Sequence, residues 1–452
     1  MKIIIAGGGK VGVTLVRLLS AEGHDLTLID RNKVVLESCV EQYDVMAVDG
    51  NCASMPVLLR AGVKEANLLI ATTNADEINL LCCMTAHGIN AKIHTIARIR
   101  NPDYTEQIYK MRNFFALSLA VNPEKQAAKE IERLLKYPGF LRRDTFAKGR
   151  IEIVELRIDS TSKLCNISLS EMYRTVKAHV LVCTVQRADK AIVPKGDFVL
   201  REGDRVFITA PTAELTVLLK NLGIITRRVR SCLLCGGDRI SYYLTELLVK
   251  DGIDVKIIEN SPARCRELAT VLPKADIILG DCSSQKELED QRISDFDAVV
   301  TLTGIDEMNM IISLYASSCN VPQVITKLGR PENFMVADSI SLGSTICSRE
   351  LCSNNIVRYV RAMENQSGAA ISVHGIADGL AEAIEFLVDD STPHCAEPLK
   401  ALHLKPNILI ASITHGSNVH IPNGDSTFVP GDTVVVVSNG RGMLQHLGDI
   451  FA

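Results

Sequence analysis

At 452 residues the chain is long enough for several domains, and its 47% hydrophobic content supplies more than one core. The formal net charge of −4 comes without a long run of one sign, which argues against a surface that neutralises nucleic acid or an anionic bilayer. No stretch approaches the roughly 18 to 20 uninterrupted apolar residues of a membrane span, and the start MKIIIAGGG breaks into glycine too early for a signal peptide, so a soluble cytoplasmic chain is expected.

From the first residue onward, apolar strand-like runs at 3–6, 26–29, 45–48, 68–71 and 93–97 alternate with helix-like segments such as 11–22 and 77–87. This alternation predicts a parallel α/β sheet. Short alternating strands around Gly-Asp turns follow, at RVFI from Arg205 and again at TVVV from Thr433, each with a helix-like stretch before or after. They predict a small α+β module. Linkers are expected near Tyr137, over 223–230 and around Asn365.

The chain repeats itself. IAGGGKVGVTLVRLLSAEGHDLTLID aligns with LCGGDRISYYLTELLVKDGIDVKIIE at an offset of 229, and ATTNADEINL from Ala71 with TLTGIDEMNM from Thr301 at 230. VPKGDFVLREGDRVFI from Val193 matches IPNGDSTFVPGDTVVV from Ile421 at 228. A period above 200 residues means tandem duplication of a two-domain unit, N1-C1-N2-C2, and not a solenoid. The expected fold class is therefore α/β, a duplicated Rossmann-like parallel-sheet domain followed each time by a small α+β domain. The expected bounds are 1–137, 138–228, 229–366 and 367–452.

Gly7, Gly8, Gly9, Lys10, Val11 and Gly12 form a G-x-G-x-x-G between a strand and an amphipathic helix, and Asp30 ends the next strand, 18 residues beyond Gly12. Strand, helix, spacing and acid together meet the conditions of a dinucleotide fingerprint. Gly7 permits the tight turn, Gly9 lets a pyrophosphate approach the backbone, and Gly12 lets the helix close on the strand, with helix N–H groups on the phosphates. Asp30 accepts from ribose hydroxyls and favours NAD over NADP, a preference that Arg31 blunts. Thr73, Asn74, Asp76 and Glu77 lie where the crevice of such a sheet opens. Thr73 or Asp76 would contact a ligand, cap the following helix, or both. Arg98 ends the fifth strand and would either neutralise a phosphate or stand as a solvated charge.

The second copy departs from this pattern. In CGGDRIS, Gly236 and Gly237 stay, but Asp238 stands where Gly9 does and Ser241 where Gly12 does, adding bulk and a like charge at the phosphate position. With Arg239, Glu259, Asp281 and Thr303 still in place, this copy is expected to bind a different nucleotide, to bind weakly, or to serve as a ring subunit. Catalysis is not expected, because a dehydrogenase needs a proton donor or acceptor over the nicotinamide and the two copies share no matched His or Lys for it. Cys232-Leu-Leu-Cys235 lies in a strand with no second Cys or His pair nearby, so neither a redox nor a metal site is expected.

The N1-C1-N2-C2 order, the MKIIIAGGGKVG…LID start, the ATTNADEIN and ARIRNPDY segments and the P-x-G-D…GD modules together resemble the TrkA potassium-uptake regulators, with two RCK units in one chain. The likeness covers essentially residues 1–452. It implies a regulatory subunit on the inner face of a TrkH-like potassium-translocating membrane protein, binding NAD(H) and adenine nucleotides such as ATP or ADP. It further implies a homotetramer whose eight N units form a gating ring, with no nucleic-acid partner. The family's contacts carry to Gly7, Gly9, Lys10, Val11, Asp30, Thr73, Asn74 and Arg98, with Asn51 and Cys52 after the third strand as neighbours. Where the family often has Gly-Asp, this chain has Gly50-Asn51, which keeps an acceptor and loses a charge. The alternatives are an NAD-dependent oxidoreductase and an RCK-type regulator of another cation transporter.

Overall fold

Near-continuous apolar runs such as Leu68–Ala71, buried along their whole length, build the centre of a parallel sheet covered on both faces. The elements of the first copy are β1 (Lys2–Ala6), α1 (Lys10–Ala21), β2 (Asp25–Asp30), α2 (Lys33–Gln42), β3 (Met46–Asp49) and α3 (Met55–Arg60). They continue as β4 (Leu68–Ala71), α4 (Asp76–Ile89), β5 (His94–Arg98), α5 (Pro102–Met111), β6 (Leu119–Val121) and α6 (Pro123–Lys136). All six strands are parallel, in the order β3-β2-β1-β4-β5-β6. The order reverses between β1 and β4, which opens the crevice of a doubly wound sheet beyond their carboxyl ends. This computed structural model describes residues 1–136, 142–146, 150–223, 229–340, 342–364, 370–416, 418–439, 444 and 446–452. The linkers expected near Tyr137 and Asn365, and most of 223–230, lie outside the described residues.

The next stretch gives β7 (Arg142–Phe146), β8 (Ile151–Arg157), α7 (Leu169–Val176), β9 (Leu181–Arg187), β10 (Lys190–Ile192), β11 (Arg205–Pro211) and α8 (Thr212–Leu222). Its five strands form an antiparallel sheet in the order β10-β9-β11-β8-β7. The repeated Gly-Asp turn has a structural cause. Gly203 takes a φ of +87° and buried Asp204 braces the turn by accepting from the Arg201 N–H and from the Arg187 guanidinium.

The second Rossmann copy comprises β12 (Ser231–Cys235), α9 (Arg239–Lys250), β13 (Asp254–Glu259), α10 (Pro262–Val271), β14 (Asp276–Leu279) and α11 (Gln285–Asp290). It ends with β15 (Ala298–Thr301), α12 (Asp306–Ser318), β16 (Gln323–Lys327), α13 (Pro331–Ser339), β17 (Ser344–Ile346) and α14 (Ser348–Glu364). Its strand order, β14-β13-β12-β15-β16-β17, repeats the first. The last module contains β18 (Ala370–Ile376), β19 (Ala381–Leu387), β20 (Ile408–His415), β21 (Asn418–His420) and β22 (Thr433–Asn439), ordered β18-β19-β22-β20-β21 as in its twin. Among the described residues it carries short 3-10 turns, Leu399–Ala401 and Leu447–Ile450, in place of the helices α7 and α8.

The chain divides into two compact units, one of Met1–Glu132 with Ser231–Val357 and one of Arg133–Arg230 with Arg358–Ala452. Like packs with like. In the first unit, the Tyr243 hydroxyl on α9 donates to the Arg100 carbonyl and accepts from Asn122, joining the two Rossmann copies. In the second, Phe146, Ile153 and Phe207 share a core with Ala381, Ala411 and Val437. No helix among the described residues is long and apolar enough to cross a membrane.

Candidate functional site

The turn from β1 into α1 is built by glycine at positions where the backbone leaves no choice. Gly7 takes a φ of +105°, and a Cβ there would lie 2.8 Å from the Thr73 backbone nitrogen. At Gly12 a Cβ would fall 1.9 Å from the Gly7 carbonyl oxygen, so only glycine lets α1 start this close to the strand. Gly9 is different. Nothing lies within 4 Å of its Cβ position, and it caps α1 without a side chain, leaving the helix's first N–H groups facing open space. A cavity of about 430 Å³ opens there, lined by Gly8, Gly9, Lys10, Arg17, Arg349 and Glu350 among others; Asp30, Thr73 and Arg98 are not in its wall.

Asp30 grips the loop from the neighbouring strand. Its Oδ2 accepts the Gly8 N–H and its Oδ1 the Asn32 N–H, which orients the carboxylate and leaves further lone pairs for a ligand. On the other side of the crevice, fully buried Asn79 accepts the Thr73 N–H and hydroxyl at 2.8 and 2.7 Å and donates to the Thr73 and Arg98 carbonyls. It ties the end of β4 to the end of β5. Arg98 is only 7% exposed; one terminal nitrogen donates to the Thr73 carbonyl at 2.7 Å, while its buried Nε has no hydrogen-bond partner. Burial, with Arg100 next, holds its pKa below the ordinary arginine value. The solvated-charge reading of Arg98 is therefore set aside: an arginine carrying an unpaired buried N–H is suited to an anion.

Other sequence-derived candidates have local duties. Neither Thr73 nor Asp76 caps α4; the cap position is Ala75, which has no side-chain cap, and the Thr73 hydroxyl donates to the Ala75 carbonyl. Asp76 opens the helix itself, so its Oδ2 turns instead to the Arg100 and Asn101 N–H groups, each at 2.8 Å, and fixes the turn after β5. Glu77 accepts from the Tyr104 hydroxyl, which draws its carboxyl pKa down. Asn51 accepts the Ala53 N–H in its own turn, and Cys52 is buried in the core among Val48, Val57 and Cys82. Arg31, Lys10 and Asn74 are exposed at the rim, and Val11 is buried beneath α1. Arg349 was not legible in the sequence as part of this site. It comes from α14 of the other copy, some 340 residues downstream in sequence.

In the second copy Gly236 keeps the turn, with φ +112°, and the Gly237 N–H donates to Glu259 Oε2 at 2.7 Å as Gly8 does to Asp30. Asn309 repeats the role of Asn79 on Thr303 and Lys327. Ser241 replaces Gly12 without loss of the turn, because its hydroxyl donates to the Gly236 carbonyl. Asp238 caps α9 by accepting the Ser241 N–H at 3.0 Å, and its Oδ2 lies 2.6 Å from Nζ of Lys327, the counterpart of Arg98. Asp281 accepts the Ser283 N–H, Arg239 is exposed, and Thr303 lines a cavity of about 550 Å³.

Burial pushes the Cys232 thiol above its ordinary pKa and the Cys83 and Cys352 thiols to about 12, so these are packing residues and not nucleophiles. Among the described residues no group of three or more His, Cys, Asp or Glu is placed to hold a metal ion.

Residues 3–119 and 232–347 match the TrkA-N domain model, and 153–223 the TrkA-C domain model. The chain is 31% identical over 437 residues to the Trk system potassium uptake protein TrkA homolog of Archaeoglobus fulgidus, across 96% of this chain and 97% of that one. The chain belongs to the TrkA family. It is also similar to TrkA of Halomonas elongata, 28% identical over 100% of this chain and 98% of the relative. The TrkA assignment makes it a regulatory protein of the potassium-transport class and not an enzyme, which sets aside the oxidoreductase alternative. Among solved structures it resembles the GsuK RCK domain, with a TM-score of 0.61 and 16% identity over 97% of this chain and 92% of that one. The GsuK channel bound to NAD matches with a TM-score of 0.61, 16% identity and coverage of 97% and 77%. At that identity the likeness speaks for the fold.

Proposed function

We propose that this TrkA chain is a cytoplasmic regulatory subunit that binds NAD(H) or an adenine nucleotide on its first Rossmann copy and gates a TrkH-like potassium-translocating membrane protein. The observation that carries the reading is the open Gly9 position at the start of α1, with Arg98 buried at the end of β5 and its Nε–H unpaired. The residues present fit a dinucleotide: helix α1 offers its N–H groups to the phosphates, Arg98 and Lys10 offer positive charge, and Asp30 offers acceptors to a ribose diol. The bound nucleotide serves as a signal and undergoes no reaction.

Gating requires a ligand to bind one shape of the assembly better than another. Arg349 and Glu350 of the second copy line the first copy's cavity, so a ligand there touches both copies and favours the arrangement that keeps them together. The matched helices also carry exposed apolar residues that would serve association of the chain, proposed as a homotetramer. Leu81 on α4 and Ile311 on α12 are 49% and 61% exposed.

The test is calorimetric titration of the full chain with NADH, then of Asp30→Ala. The reading expects a clear heat that weakens at least about tenfold in the variant, a loss of about 1.4 kcal/mol. Unchanged affinity would remove Asp30 from the site. Potassium flux through a co-reconstituted TrkH-like protein, responding to the nucleotide only when the chain is present, tests the gating.

A further inference from the structure

We propose that the cavity of the second Rossmann copy takes a phosphate-free ribonucleoside, the Asp238 carboxylate standing on Lys327 in place of a ligand phosphate. The inference rests on the reading of the first copy as a nucleotide site.

The cavity is of small-ligand size, about 550 Å³, with Gly237, Glu259, Asp281, Thr303, Ile305 and Met308 in its wall. Its ribose end is intact. Glu259 ends β13, held by the Gly237 N–H on Oε2 and the Ser261 N–H on Oε1 at 2.8 Å, the same two-point grip that Asp30 has. Such an oriented carboxylate accepts from a vicinal diol.

The phosphate end is already filled from within. Asp238 receives what a phosphate at a helix N-terminus would receive: one backbone N–H, from Ser241, and one cation, Lys327 at 2.6 Å. Lys327 is further held by the Leu302 carbonyl at 3.0 Å, as Arg98 is by Thr73. The first copy has the cation and the helix end but no internal anion, since Gly9 leaves the space open.

The surrounding charge points the same way. Glu259, Asp281 and Asp238 bring three carboxylates to the cavity, against Lys327 on Asp238 and Arg264, whose guanidinium donates to the Gly237 and Asp238 carbonyls, and hydrogen bonds from Ser283 keep the Asp281 carboxyl pKa low. A diphosphate would bring two more negative charges into this setting. A neutral nucleoside would bring none.

Photoaffinity labelling of the full chain with 8-azidoadenosine and 8-azido-ADP, followed by mapping of the labelled peptides, tests the proposal. Azidoadenosine is expected to label the second copy and azido-ADP the first. Asp238→Gly should raise azido-ADP labelling of the second copy at least tenfold, and Asp238→Asn, which keeps the cap but drops the charge, should raise it less. Glycine is tolerated at a helix N-cap nearly as well as aspartate, so the fold is kept. Azido-ADP on both wild-type copies equally, no azidoadenosine on the second copy, or no gain in Asp238→Gly would each overturn the proposal. Loss of azido-ADP labelling from the first copy alone would instead overturn the first-copy reading.

Discussion

The two Rossmann copies share strand order, the positive-φ glycine, an acid that grips the loop and the buried asparagine behind the crevice, yet they differ where a phosphate would sit. Gly9 leaves that point open, and Asp238 fills it and pairs with the local cation. The comparison separates scaffold from ligand chemistry. Most residues that hold the crevice's shape are common to both copies, Ser241 in place of Gly12 being an exception, and residues that would meet a phosphate are not.

Substitutions can break or sharpen this comparison. The largest effect is expected at the shared scaffold: Asn79→Ala and Asn309→Ala each remove a fully buried side chain with four hydrogen bonds. Each should cost about 3 kcal/mol of stability in chemical denaturation, equally in the two copies. A large inequality would mean that the copies do not share one supporting frame. Next comes Gly9→Asp, which imposes the second copy's chemistry on the first and should lower NADH affinity about 100-fold, roughly 2.7 kcal/mol, with the melting temperature kept. Retained affinity would show that the open position is not where the phosphate goes. Arg98→Ala and Arg349→Ala should each lose about tenfold in affinity, since each removes one charge-assisted contact; Lys327→Ala should leave NADH binding to the first copy unchanged.

The smallest effect concerns pH. Burial raises the Glu124 pKa, so the folded chain disfavours its ionised form. This contribution to stability is full below the ordinary glutamate value of about 4.3 and is lost as pH rises through the higher folded value. Glu124→Gln should flatten that part of the stability profile. A profile identical to the wild type would mean that the carboxyl is not desolvated as the packing requires.

Much of this was legible in the sequence because the signals are local. The duplication, the strand–glycine–helix register, Asp30 at its fixed distance and the loss of two glycines from the second loop are all read from spacing along the chain. Three things were not. The three-residue strand β6 is too short for a periodic signal. Asp76, read as a ligand contact, a helix cap or both, serves the turn after β5, with a partner 24 residues away. Arg349 and the Asp238–Lys327 pair depend on contacts across 89 residues or more, which no local pattern encodes.

The most direct measurement is the number of NADH molecules bound per wild-type chain at saturation, by calorimetry on the full-length protein. The account predicts one, lost in Gly9→Asp and unaffected by Lys327→Ala. Two equivalent sites, or one site that survives Gly9→Asp, would contradict it.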